Sequence, residues 1–105
     1  MNIETKKFLE FCKQFNLKPF SLKKFKLENV EVCIDKSYWF VWKKCNLNGW
    51  KVFYKEKPFF ITLIDKEDWC FGVYEINGSN LLKRTFFQCR AICFFNKETN
   101  KWEVA

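Results

Sequence analysis

The stretch from Tyr38 to Tyr74 contains four runs of aromatic and β-branched residues in close succession: YWFVWK (38–43), WKVFYK (50–55), FFITLI (59–64) and WCFGVY (69–74). Residues of this kind favour β-strands. The segments between the runs include NLNG, EKP and DKED, which are rich in the residues typical of turns. The stretch therefore predicts an antiparallel β-meander around which the rest of the chain is organised.

Residues 2–16 are predicted to form an amphipathic helix. Their apolar residues recur at helical spacing and make one stripe, formed by Phe8, Phe11, Cys12 and Phe15. Asn2 is suited to cap the start of this helix and Asn16 to end it. We expect the stripe to pack on the sheet.

The flanking segments predict further strands. Residues 29–35 alternate apolar and polar side chains, as a half-buried strand does. A loop is expected over 76–80. Residues 85–95 and 101–104 are predicted to form a hairpin, although the spacing of apolar residues also allows a helix over 80–93. The fold class expected for residues 1–105, taken as a single domain, is α+β: an N-terminal amphipathic helix packed on a curved, mainly antiparallel β-meander of about six strands.

A two-residue turn at Asn48-Gly49 would fix which side chains share a face of the sheet. Lysines and aromatic residues would then lie together on the face opposite Trp50, and Gln88 and Arg90 would extend that surface if 85–95 joins the sheet. The binding residues predicted in this way are Trp42, Lys44, Lys51, Phe53, Lys55 and Arg90. Lysines that neutralise phosphates beside aromatic rings that stack bases are the components of single-strand binding surfaces. The alternative interpretation is that the rings are core and the lysine stems pass over them.

Composition narrows the class of partner. The chain has a net charge of +7, carried by 17 lysines and 2 arginines, and 21% of its residues are aromatic. A positive field favours anionic partners. Aromatics in this number exceed what a small core needs, so some are expected to face a partner or a cleft.

Catalytic and metal chemistry find little support in the sequence. The chain has no histidine, which excludes Ser-His and Cys-His dyads. Its 6 cysteines include one close pair, Cys89 and Cys93, and lack the paired spacing of zinc sites. There is no glycine-rich phosphate loop. The sequence therefore predicts a protein that is not an enzyme and that has no cofactor and no metal.

The N-terminal residues carry an early acid and lack the apolar core of a signal peptide, and no apolar run is long enough to span a bilayer. We therefore expect a cytoplasmic protein, in the host cell, with reduced thiols and no membrane partner.

In profile, a small basic domain without a catalytic motif resembles phage or mobile-element proteins that act by binding, such as anti-CRISPR and other anti-defence inhibitors. The resemblance rests on no individual residue, so no site is transferred from it. It implies a non-catalytic protein that binds a host protein or a protein–RNA complex. The alternatives are a single-stranded nucleic-acid binding module and, as a weaker alternative, a binder of an anionic nucleotide between sheet and helix.

Overall fold

The computed structural model describes residues 1–36, 39–79 and 84–105, without the side chains of residues 34–36, 39–42, 79 and 84. Within these ranges the chain forms one helix followed by seven strands. The elements are α1 (Ile3–Phe15), β1 (Lys18–Pro19), β2 (Phe25–Lys36), β3 (Trp39–Tyr54), β4 (Lys57–Asp65), β5 (Cys70–Ser79), β6 (Arg84–Asn96) and β7 (Lys101–Val104). The α+β class is thus confirmed.

The ends of α1 are capped as the sequence predicts. The backbone N–H of Thr5 donates a hydrogen bond of 2.8 Å to Asn2 Oδ1, which satisfies one of the unpaired donors of the first turn. Asn16 ends the helix in a left-handed conformation with φ of 56°. The N–H of Leu17 donates to the carbonyl of Cys12 at 2.8 Å. These caps fix the direction in which the chain enters β1.

The apolar stripe of α1 packs on the sheet, also as predicted. Phe8 stacks on Trp50 with a centroid separation of 4.4 Å and an interplanar angle of 9°. Phe11 is 1% exposed and lies 4.9 Å from the ring of Phe71 and 5.7 Å from that of Trp102. Burial of each such side chain contributes about 1.5–3 kcal/mol. This main core therefore holds the helix against β3, β5 and β7.

The expected antiparallel meander is confirmed in part, because the sheet as a whole is mixed. Four antiparallel pairings join β2 to β3, β3 to β4, β4 to β5 and β5 to β6. A short parallel pairing of β2 with β6, at Val32 with Phe87 and Cys33 with Gln88, then closes the ring. The five strands form a barrel, with β1 added to β3 and β7 added to β6. A smaller cluster packs on the face turned away from α1: Val32, Leu47, Phe60 and Phe87.

The predicted turn at Asn48-Gly49 is wrong, because β3 runs uninterrupted through it. Gly49 pairs with Phe25 of β2 on one side and with Thr62 of β4 on the other. A Cβ atom at this position would lie 1.9 Å from the carbonyl oxygen of Ile61. The glycine thus permits close backbone approach within a sheet and does not supply a turn.

The turn between β3 and β4 lies at Lys55-Glu56, where both residues have positive φ, 48° and 66°. Such a pair of dihedrals is that of a two-residue hairpin turn. It sets Trp50 opposite Ile61, so the two side chains share a face, and this is the face that packs against α1. With tight turns at Glu56-Lys57 and over 65–68, the sequence would place Phe71 on the face opposite Trp50, but the structure pairs it with Leu63 and places it on the α1 face. A register shift between Leu63 and Asp65 accompanies this change.

The C-terminal hairpin of β6 and β7 is confirmed. Residues 84–93 are strand, so the alternative helix over 80–93 is wrong where the structure describes it; residues 80–83 lie outside the described residues. The expected loop over 76–80 is strand up to Ser79. Its first residue, Ile76, packs against the cluster that faces away from α1.

Candidate basic-aromatic binding site

The short strand β1 brings the N-terminal part of the chain to the edge of β3. Lys18 lies opposite Phe53, and the N–H of Phe20 donates a hydrogen bond of 2.9 Å to the carbonyl of Lys51. Directly opposed residues of an antiparallel pair share a face. The side chains of these four residues therefore meet on the face turned away from α1.

Lys51 lies against two aromatic rings at this edge. Its Nζ is 5.2 Å from the ring centroid of Phe20 and 5.7 Å from that of Phe53. The two rings are 6.1 Å apart and tilted by 59°. An ammonium group at these distances is attracted to the ring faces. The lysine is consequently held between the rings.

Much of this arrangement faces solvent. Phe20 is 59% exposed, although a phenylalanine of a small domain is normally buried. Lys18 and Lys55 are exposed, and an open cavity of about 720 Å³ lies among Lys18, Phe20, Phe53 and Lys55. We refer to five residues as the basic-aromatic cluster: Lys18, Phe20, Lys51, Phe53 and Lys55. Glu56 also lines the cavity, so Lys18 and Lys55 leave its lining with one net positive charge, and Lys51 adds a further charge beside Phe20.

A second, smaller cavity of about 240 Å³ continues from the cluster toward the inside of the barrel. Phe20 and Lys51, both members of the cluster, also line this cavity, which is otherwise lined by apolar side chains such as Phe60 and Phe87. Among the described residues that line this second cavity, Lys51 is the one that carries a charge. A flat apolar group next to Phe20 would therefore find an apolar recess beside a cation.

The structure brings together three of the residues predicted from the sequence: Lys51, Phe53 and Lys55. Lys44 is separated from them because β3 is continuous. It lies seven residues before Lys51, an odd number, so the two side chains point to opposite sides of the strand. The strand backbone between them spans about 23 Å. Trp42 pairs with Cys33 through its backbone, and its side chain lies outside the described residues.

Arg90 also lies elsewhere. It is the additional residue of a bulge in β6, since Val73 pairs with Ala91 whereas Tyr74 pairs with Cys89. Its Nε–H donates to Glu75 Oε2 at 2.7 Å, and its Nη2 is 2.5 Å from the same oxygen. Arg90 and Ala91 border a cleft on the α1 side of the sheet. Arg90 therefore does not extend the basic-aromatic cluster.

Sequence reasoning missed Lys18 and Phe20. Pro19, between them, was a usable signal, because proline lacks a backbone N–H and within sheets is confined mainly to edges and strand ends. Nothing in the local pattern indicates that this edge strand pairs with residues 52 and 53. The partner strand lies more than thirty residues further along the chain.

Three of the cysteines, Cys12, Cys33 and Cys93, are buried, and the other three are partly exposed. Burial raises the pKa of the Cys12 thiol to about 12 and, with the nearby Cys70, that of Cys93 to about 11. Burial also raises the pKa of Cys89 and of Cys70. A thiol with a raised pKa is a poor nucleophile, because the thiolate is the reactive form. None of the six cysteines forms a disulfide.

Neither a metal site nor a membrane-spanning helix is found within the described residues. No group of three or more Cys, Asp or Glu side chains within residues 1–36, 39–79 and 84–105 is placed to hold a metal ion. No helix in the same ranges is long and apolar enough to cross a bilayer.

The fold and the cluster together define an α+β protein with a closed, mixed barrel and a basic, aromatic surface at one edge of it. Comparison of the chain with protein-family models, with curated proteins and with solved structures finds no match. A function for this chain is therefore inferred from the chemistry of the site itself.

Proposed function

We propose that this chain is a non-catalytic binding protein that engages a nucleoprotein complex of a host cell through the basic-aromatic cluster. In this proposal the cluster contacts single-stranded nucleic acid of that complex. The observation that carries the proposal is the exposed ring of Phe20, 59% accessible, with the Nζ of Lys51 5.2 Å from its centroid and with Lys18 and Lys55 lining the cavity beside the ring.

The chemistry of single strands matches these groups. An unpaired base has an exposed ring face, and stacking on an aromatic side chain contributes about 1–3 kcal/mol per base. Phe20 offers such a face, and Lys18, Lys51 and Lys55 offer charges for the adjacent phosphates. Lysine binds phosphate as a point charge without reading base edges. We therefore expect binding with little sequence preference.

The biological setting that we propose is inhibition by a phage or mobile-element protein of the anti-CRISPR kind, acting in the host cytoplasm. Its support is the chain's general profile together with a surface that combines positive charge and an exposed ring. A basic member of that group would hold a guide or target strand and would not imitate one.

A second candidate is an interface with a host protein alone. It is favoured by the apolar recess beside Phe20, because aromatic side chains that enter pockets dominate many protein interfaces. The two candidates differ in their response to salt. Phosphate contacts release counterions, so nucleic-acid affinity falls steeply as salt rises.

The test is binding of labelled single-stranded RNA and DNA at about 50 and 200 mM salt. Contacts from three lysines give a salt slope of about −2 on single strands, so affinity should fall roughly 20-fold over this range. Lys51→Glu and Lys55→Glu should each weaken binding at least 10-fold, and Phe20→Ala should weaken it about 5- to 160-fold, as expected for one lost stack.

Lys44→Glu is the matched control, because it makes the same charge change on the same strand but on the other side of it. It should leave binding nearly unchanged. Equal weakening by Lys44→Glu and Lys51→Glu would show that overall charge, and not the cluster, determines binding. Absence of binding at both salt concentrations would reject the nucleic-acid contact and favour a protein partner, to be sought by affinity capture from a host lysate with Phe20→Ala as the comparison.

A further inference from the structure

A separate cleft lies on the opposite side of the sheet from the basic-aromatic cluster. It has a volume of about 430 Å³ and is enclosed by the C-terminal half of α1 and by strands of the barrel. Small-molecule sites in proteins commonly measure roughly 300–1,000 Å³. Most of the lining is apolar, including Phe11, Phe15, Phe59, Val73 and Ala91. The cleft therefore has the size and the surface of a site for an apolar ligand.

Charged groups lie at the edge of this apolar lining. Lys57, Glu75 and Arg90 all border the cleft, which gives its edge one net positive charge. Within the described residues, Nε and Nη2 of Arg90 both contact a single oxygen, Glu75 Oε2. A guanidinium carries five N–H donors, so donors remain for a second carboxylate. The side chain of Arg90 is 50% exposed, which leaves it accessible to a ligand.

The backbone places Arg90 at the cleft through an irregularity in β6. Regular alternation would put Arg90 and Ala91 on opposite faces, but the bulge at Arg90 lets both border the cleft. Bulges of this kind redirect side chains and are frequent near functional sites. Glu75, whose side chain is 12% exposed, holds the guanidinium in this position. The cation at the cleft is thus positioned by two independent features.

We propose that this cleft binds a small amphipathic monocarboxylate, with its apolar part against Phe15, Phe59 and Val73 and its carboxylate on Arg90. A planar carboxylate can accept two parallel hydrogen bonds from a guanidinium. The site is distinct from the basic-aromatic cluster and does not depend on the function proposed for it.

Charge and shape favour this ligand over an anionic nucleotide. A nucleotide phosphate carries up to two negative charges, whereas the edge of the cleft supplies one net positive charge and places the carboxylate of Glu75 next to Arg90. The apolar lining also offers few polar partners for a ribose. A ligand with a single carboxylate on an apolar chain or ring can place its carboxylate on Arg90 and its apolar part against the apolar lining, so both parts have suitable partners.

The test uses three probes with the full chain: decanoate below its critical micelle concentration, decanol and AMP. Isothermal titration calorimetry should show saturable one-to-one binding of decanoate, at least 10-fold weaker binding of decanol and no saturable binding of AMP. Equal affinities for decanoate and decanol would show that Arg90 does not bind the carboxylate. Absence of saturable decanoate binding, or binding of AMP in its place, would overturn the proposal.

Variants at the edge of the cleft test the same geometry. Glu75→Gln should tighten decanoate binding several-fold, because it removes the negative charge that competes for Arg90 while the amide oxygen still accepts a hydrogen bond that positions the guanidinium. Arg90→Gln in the Glu75→Gln background should weaken it at least 10-fold, and the double change avoids leaving a buried carboxylate unpaired. Unchanged affinity for decanoate in both variants would contradict the assignment of Arg90 as the residue that binds the carboxylate.

The apolar part is tested by Val104→Glu, at a cleft residue that is 61% exposed and so tolerant of substitution. It should weaken decanoate binding at least 5-fold. Ile64→Glu is the control, since Ile64 is 51% exposed and lies outside the cleft. Equal effects of the two variants would count against a ligand in this cleft.

Discussion

Replacing Gly49 with alanine tests the least expected feature of the fold, the continuous path of β3. The new Cβ would lie 1.9 Å from the carbonyl oxygen of Ile61 and 2.8 and 2.9 Å from two further backbone atoms of β4. Real Cβ atoms essentially never approach closer than 3.0 Å, so β3 and β4 must separate. Overpacking costs about 1–3 kcal/mol and unsatisfied backbone groups about 1–3 kcal/mol each. We expect Gly49→Ala to lower the free energy of unfolding by about 3–5 kcal/mol.

The assay is urea unfolding followed by tryptophan fluorescence, since Trp50 is fully buried against Phe8. Gly78→Ala is the matched control: a Cβ there meets nothing within 4 Å, and its φ is not positive. It should change the free energy of unfolding by less than about 1 kcal/mol. If Gly49→Ala costs no more than Gly78→Ala, β4 does not approach residue 49 and the described path of β3 is wrong.

Two further predictions concern the main core. Phe11→Ala should lower the free energy of unfolding by about 3–5 kcal/mol in the same urea assay. Phe94→Ala is the control, and it should cost much less because Phe94 is 38% exposed. Similar costs would mean that the α1 stripe is not core. Unfolding free energy should also fall above pH 9, because burial raises the pKa of Cys12 from 9.0 to about 12, so its stabilising contribution is complete below pH 9 and is lost as pH rises toward 12. Ionisation of this thiol lowers the free energy of unfolding by up to about 1.4 kcal/mol per pH unit in that window. In Cys12→Ala the free energy of unfolding should therefore fall less steeply with pH, and an unchanged slope would contradict the raised pKa of Cys12.

The helix was predictable because its determinants are local. The stripe of α1 repeats within four turns, and the caps at Asn2 and Asn16 depend on residues next to them. The hairpin of β6 and β7 is local in the same sense, since a short polar segment joins the two strands. The spacing of apolar side chains and the residues at caps and turns were therefore sufficient to predict α1 and this hairpin.

The path of β3 was not predictable from the same signals. Asn-Gly is a strong hairpin signal because both residues tolerate positive φ. Here Gly49 has no positive φ, and its lack of a side chain serves the approach of Ile61 instead. That approach depends on a strand about a dozen residues later, so the local sequence cannot distinguish the two uses of the glycine.

Closure of the barrel is a longer-range effect. The parallel pairing of β2 with β6 joins Val32 to Phe87, residues that no turn or spacing rule connects. A meander of five antiparallel strands brings its first and last strands together in parallel when it curls fully. The sequence indicated curvature, but whether the edges meet depends on the twist accumulated across all five strands.

The path of β3 also decides what the binding experiment measures. With a turn at residues 48 and 49, Lys44 and Lys51 would share a face, and reversing either charge would weaken binding. In the continuous strand they lie on opposite sides, so only Lys51→Glu should do so. Comparison of these two variants therefore tests the register of β3 and the location of the site together. Because Phe20 is held at Lys51 by a backbone hydrogen bond of 2.9 Å, the exposed ring belongs with Lys51 and not with Lys44.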